Sequence, residues 1–188
     1  MGISIFANNC SGWKMYQDLK LPYESPTIAL QIMPEEFTKF CQNIDYYMAQ
    51  DVKEYKEFSE YHKAILWRMF GYNVECPYGL CGDICIVFQH EKSFEEAKAK
   101  WNRRKARVGE NRAFLFCLDY DIYKKEAQEF HDAHIPNSYV FTNNFDIDGE
   151  HYRYKCLDRS KICYLDKDRK NHYIFEGSFN RGKLWGRS

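Results

Sequence analysis

At 188 residues, with 45% hydrophobic and 29% charged side chains, the chain is long enough to bury a sizeable core and too apolar to be disordered. Its 27 basic and 27 acidic residues cancel, so no global field draws it to nucleic acid. No apolar run approaches the roughly 20 residues of a membrane helix, and Met1-Gly2 enters the first predicted strand without a basic leader or a myristoylation signal.

That strand, Ile3 to Ala7, runs into Asn8-Asn9-Cys10-Ser11-Gly12 and a helix over Trp13 to Leu19. A loop of small polar residues at the carboxyl edge of a sheet is where open α/β folds bind ligands, which makes it the first candidate site. The plainer alternative is a helix cap by Asn9 or Ser11. Pro22 and Pro26 end the helix, and Thr27 to Ile32 reads as a second, buried strand. Pro34-Glu35-Glu36 opens a helix to about residue 50, with Pro in the first turn and acids at the positive pole. Its inner face carries Phe37, Phe40, Cys41, Ile44 and Met48. The spacing of Val52, Tyr55, Phe58, His62, Ile65 and Met69 predicts a further helix over 51–72.

Cys76 to Gly82 reads as a loop from its proline and glycines. Asp83 to Phe88 is the third predicted strand, and Ser93 with Glu96 forms a capping box for a helix carrying Phe94, Ala97 and Trp101 inward. Strands over Ala113–Leu118, ending at Asp119-Tyr120-Asp121, and over Ser138–Thr142, ending at Asn143-Asn144, flank a helix from Tyr123 to His131. Beyond Phe145 the alternating segments 152–156 and 161–165 suggest a small antiparallel unit, and the chain closes on Gly186-Arg187-Ser188. The expected fold is three-layer α/β: a mostly parallel or mixed central sheet, helices on both faces and a small antiparallel C-terminal extension. One domain is expected over 1–188, with a core at 1–145 and a β-rich extension at 146–188.

Cysteine usage does not suggest a disulfide framework. Cys85 and Cys117 sit inside apolar runs, where a thiol packs as a small hydrophobe, and the chain reads as cytoplasmic with reduced thiols. The spacing of Cys76, Cys81 and Cys85 does not match a zinc site, and Asp146, Asp148 and Glu150 fall short of a calcium loop. Neither a metal nor a cofactor is expected.

The candidate catalytic residues are Cys10 and His90. The third strand ends in Gln89-His90-Glu91-Lys92, at the same kind of edge as Cys10. An imidazole beside a thiol at a helix N-terminus makes a nucleophile, while the structural alternative for Cys10 is simple packing. Arg103 and Arg104, with Lys100 and Arg107, suit a phosphate or pyrophosphate, guanidinium groups binding such oxygens bidentately. Their alternative is a basic last turn facing the helix dipole, and Trp101 beside them is either a stacking group or core.

The stretches Ile3 to Cys10 and Leu21-Pro22-Tyr23-Glu24-Ser25-Pro26-Thr27-Ile28 resemble the bacterial family filed as domain of unknown function 1919. So do Tyr78-Gly79 through Asp83, and His90 followed by Ser93 to Ala97 and Trp101-Asn102-Arg103-Arg104. The resemblance covers residues 3–145. It departs at Ser11-Gly12-Trp13, where a Trp-Gly pair is more usual, and in the length of the predicted 51–72 helix. Members of that family are often labelled exopolysaccharide or capsule biosynthesis proteins, which implies a role in surface-polysaccharide assembly. The resemblance adds Ser25 and Asp83 to the substrate- or donor-binding candidates Asn8, Asn9, Ser11, Trp101, Arg103 and Arg104. The expected activity is a glycosyl or acyl transferase taking a nucleotide sugar or acyl-CoA and a glycan precursor. The alternative is a non-catalytic glycan-binding or accessory protein of a polysaccharide assembly system.

Overall fold

The computed structural model describes residues 2–71, 75–118, 120–142, 144–151, 153–158 and 161–165. Asp119, Asn143, Tyr152 and Gly186-Arg187-Ser188 lie outside the described residues. The fold is a mixed α/β arrangement of a parallel and an antiparallel sheet with helices between and around them, as the sequence predicts.

The parallel sheet holds three strands in the order β1 (Ser4–Ala7), β6 (Arg112–Cys117), β7 (Ser138–Phe141). Their side chains alternate between two apolar faces. Ile3, Ile5, Ala7, Leu115, Cys117 and Phe141 meet Met15 and Tyr16 of helix α1 (Ser11–Leu19). Phe6, Phe114, Phe116 and Val140 face the other way, onto α2 (Pro34–Gln42) and α6 (Lys124–Asp132). Phe37 of α2 and Phe130 of α6 stack there with ring centroids 5.4 Å apart, both fully buried. Helices on both faces explain why these strands are apolar on both sides.

The second sheet is antiparallel, ordered β2 (Gln31–Ile32), β5 (Ile84–Val87), β4 (Tyr78–Cys81), β3 (Val52–Glu54). It joins the first through one backbone bond, Ile32 N–H to the Asn8 carbonyl at 2.9 Å. One of its faces packs into the main core with α5 (Phe94–Lys105), through Ala97 and Trp101. Cys85 and Val87 on the other face meet Ile65 and Leu66 of α4 (Glu60–Phe70). Cys81 and Cys85 therefore point to opposite faces. Strands β8 (Arg153–Asp158) and β9 (Lys161–Leu165) form the expected antiparallel hairpin.

Four expectations are corrected. Residues 26–29 form a turn with Ala29 at φ +60°, and only Gln31–Ile32 pairs as a strand. Ile28 and Leu30 are apolar because this turn packs inward. The turn also seals the open edge of β1: Thr27 Oγ1 accepts the Ala7 N–H at 3.2 Å. On the same strand Tyr16 Oη accepts the Ile5 N–H at 2.7 Å and donates to the Ile3 carbonyl at 3.1 Å.

The predicted helix over 51–72 is instead β3 followed by α4, which starts only at Glu60 where Ser59 Oγ accepts the His62 N–H. The predicted loop at 76–82 contains β4, which turns into β5 through Gly82 at φ +62°. The helix expected to run to residue 50 is divided at Asn43 into α2 and α3 (Ile44–Ala49).

Candidate functional site

Strand β1 leads into α1 on one face of the parallel sheet, whereas its neighbour β6 leads through a short 3-10 turn, Asp121–Tyr123, into α6 on the other. Adjacent parallel strands whose connections leave to opposite faces open a crevice at their carboxyl ends. The loop Asn8-Asn9-Cys10 occupies that edge. Asn8 Oδ1 accepts the Cys117 N–H at 2.8 Å, and Asn9 Nδ2 donates to the Cys117 carbonyl. The two asparagines thus extend the β1–β6 ladder with their side chains and fix the loop. Asn8 is fully buried and its Nδ2 has no hydrogen-bond partner, so a buried donor is left over in the loop.

Cys10 stands at the N-cap of α1 with φ −65° and ψ −7°. It does not cap the helix with its own side chain; Asn9 Oδ1 accepts the Ser11 N–H at 3.0 Å instead. The thiol is left to contact His90, whose Nε2 lies 3.2 Å from Sγ. His90 is exposed in the connection from β5 to α5, where the Glu91 N–H bonds the Phe88 carbonyl in a tight turn. A helix N-terminus and an imidazole both favour a thiolate, but burial outweighs them and pushes the Cys10 thiol up. The resting site holds a neutral thiol, so chemistry at Sγ needs a base in contact with it.

The structure thus brings together Asn8, Asn9, Cys10, Ser11 and His90. Ser25 is fully buried beside the end of β1: its Oγ accepts the Thr27 N–H at 3.2 Å and lies 3.0 Å from Thr27 Oγ1, which accepts the Ala7 N–H. Asp83 precedes β5 whereas His90 follows it, so the two lie at opposite ends of that strand. Asp83 pairs with Lys39 and accepts the Tyr47 hydroxyl at 2.9 Å; the Lys39 ammonium holds its carboxyl below the usual range. Trp101 is core, 1% exposed, and presents no ring face to the crevice.

The basic residues of α5 divide into two kinds. Lys100 pairs with Glu91, the neighbour of His90, and Arg104 donates to the Ile28 carbonyl at 2.8 Å. Arg103 is exposed. Depressions of about 320 and 560 Å³ also open near the amino ends of β6 and β7, beside His134 and Asn137. Among the described residues the one thiol lining either is Cys41, which is buried with its pKa pushed well up.

Two polar clusters escape sequence reasoning. Glu36 looks like a dipole-facing acid, yet it is buried, with Oε1 2.9 Å from His62 Nε2 and Oε2 accepting the Cys85 N–H at 3.0 Å. Arg68 pairs with Glu35 and Glu126, donates to the Ile122 carbonyl and lies 4.3 Å from the centre of the Tyr123 ring. The cap pattern Ser59-x-x-His62 was the one local signal for the first. The second joins residues 58 apart and left none. The Arg68–Ile122 bond ties α4 to a loop bearing exposed Tyr120 and Ile122.

A family model described as Domain of unknown function (DUF1919) matches residues 1–156. An uncharacterized protein of Haemophilus influenzae is 29% identical over 143 residues, which is 76% of this chain and 62% of that protein. The chain thus spans less than two thirds of the length of this relative.

Proposed function

The chain belongs to the DUF1919 family, and we propose that it is a transferase of bacterial surface-polysaccharide assembly, moving a glycosyl or acyl group from a phosphate-containing donor to a glycan precursor. The contact between Cys10 Sγ and His90 Nε2 at the β1–β6 crevice carries this reading. His90 is the acid/base and Cys10 the nucleophile. Asn8 and Asn9 shape the floor, and amides suit sugar hydroxyls because they both donate and accept. Exposed Arg103 is offered as the cation for a donor phosphate, while Arg104 is partly committed to Ile28. The polysaccharide setting rests on the family resemblance, and a cytoplasmic location on the reduced cysteines: Cys10, Cys41, Cys76, Cys81, Cys85 and Cys117 are free thiols. No helix among the described residues is long and apolar enough to cross a membrane.

A thermal-shift screen against nucleotide sugars, free nucleoside diphosphates and acyl-CoAs tests it, since any ligand of the folded state raises the melting temperature by mass action. Stabilisation by one donor class, diminished in Arg103→Ala, supports the transferase. No shift with any donor overturns donor binding and leaves the second reading, a glycan-binding accessory protein. Exposed Tyr120 and Trp67 favour that second reading, because aromatic faces bind sugar rings. The two differ at His90: His90→Ala abolishes turnover in a transferase and leaves a binding module unaffected.

A further inference from the structure

We propose that the transferred group is an acyl group and that it is carried as a thioester on Cys10 Sγ. The inference rests on the transferase reading of the crevice and narrows it to one chemistry. The thiol is half-buried and in contact with an exposed imidazole, so a carbonyl entering from solvent meets the nucleophile and its base together. In the first turn of α1, the Ser11 N–H is taken by Asn9 Oδ1 and the Trp13 N–H by the Cys10 carbonyl. Cys10 is the N-cap residue of α1, so its sulfur stands by the positive pole of the helix. That pole favours the oxyanion that forms on an attacked carbonyl.

An independent observation is the buried, unpartnered Nδ2 of Asn8, two residues before Cys10. A buried N–H without an acceptor calls for an oxygen. An acyl-CoA supplies amide and acyl carbonyls as well as phosphates for Arg103. Thiol–thioester exchange replaces one C–S bond by another, so the donor already holds the energy of the intermediate.

The steps balance without a further reagent. Sγ adds to the thioester carbonyl as His90 Nε2 takes the thiol proton. The tetrahedral adduct expels the donor thiolate, which takes that proton, leaving acyl-Cys10 and free CoA thiol. A sugar hydroxyl then adds to the same carbonyl and gives its proton to His90. The C–S bond breaks, Cys10 recovers the proton, and the acyl group leaves as a sugar ester.

The test is intact-protein mass spectrometry of the full chain after incubation with acetyl-CoA and with butyryl-CoA. A mass increase of one acyl group, mapped to Cys10, released by hydroxylamine and absent from folded Cys10→Ser, supports the thioester. His90→Ala should slow adduct formation about 100-fold. Acylation at Cys76 alone, or no adduct with either donor while the protein remains folded, overturns it. The trap uses the unsubstituted protein, so a variant that fails to fold does not decide the result. If no adduct forms but a nucleotide sugar raises the melting temperature, the acyl inference fails and the transferase stands. If no donor of any class binds, both fail.

Discussion

His62 Nε2 lies 2.9 Å from Glu36 Oε1, and both side chains are less than a tenth exposed. The same carboxylate accepts the Cys85 N–H at 3.0 Å, so one residue of α2 fastens α4 and β5. Helix α2 begins two residues after Ile32, whose N–H holds the Asn8 carbonyl. The pair therefore supports the frame on which the crevice loop rests. Glu36→Ala would leave the His62 and Cys85 N–H groups buried without acceptors, at a cost of about 3 kcal/mol. Glu36→Gln keeps an acceptor for one of them and should lose less. Chemical denaturation of the two variants checks the order, and equal stability of Glu36→Ala and the parent would refute the account.

Gly79 is fixed by close approach rather than by backbone angle. A Cβ there would sit 2.6 Å from Val52 Cγ1 and 2.8 Å from Phe88 Cε2, where β3, β4 and the end of β5 converge. Gly79→Ala should cost about 1–3 kcal/mol through overpacking. Adding Val52→Ala removes the closer atom and should recover part of the loss. Melting temperatures of the single and double variants measure this coupling, and purely additive losses would speak against it.

Much of the fold was legible because its elements follow local rules. The apolar runs of β1, β5, β6 and β7 are strands, and Ser93 Oγ accepts the Glu96 N–H at 3.2 Å at the head of α5. The errors came where tertiary contacts imitate a local pattern. Tyr55 and Phe58 fit a helical period with His62, yet they precede α4 and pack edge to face, with centroids 4.9 Å apart. Pro77 and Gly79 look like loop residues, but only a glycine fits at 79. In the site, both Cys10 and His90 were readable as residues just past the ends of strands. His90 follows a strand of the antiparallel sheet and Cys10 one of the parallel sheet, however, so their meeting depends on how the two sheets pack. The spacing of Trp101 with Phe94 and Ala97 already marked it as inward-facing, whereas the ion pair of Asp83 at the hairpin turn depended on folds of the chain that leave no local mark.

Burial raises the Cys10 thiol, so little of it is thiolate at neutral pH. Iodoacetamide should alkylate Cys10 more slowly than an unperturbed cysteine, with a rate still climbing above the ordinary thiol midpoint of about 8.5. Cys76, the other half-buried thiol among the described residues, is removed by Cys76→Ser, and the Cys10 peptide alone is followed. The rate against pH, read by mass spectrometry, gives the midpoint. A value below the ordinary one would mean that the helix and His90 outweigh burial and hold a thiolate.

The Arg68 cluster makes stability depend on pH in a direction opposite to that of most carboxylates. Burial lifts the Glu35 carboxyl above the usual range despite the pull of Arg68, and Glu126 adds to the rise. A carboxyl raised in the folded state holds its proton more tightly there than in the unfolded chain, so its ionisation opposes folding. That penalty is absent below the unfolded value of about 4.3 and grows as pH rises through the folded value. Arg68→Ala removes the compensating cation and leaves Glu35 and Glu126 facing each other, which enlarges the penalty at neutral pH. The melting-temperature deficit of Arg68→Ala should therefore shrink as pH falls from about 7 to about 5. Glu35→Gln in the same background should flatten that dependence. A deficit that stays constant over this range would show that Arg68 acts through its packing on Tyr123 and its bond to Ile122, not through the carboxylates.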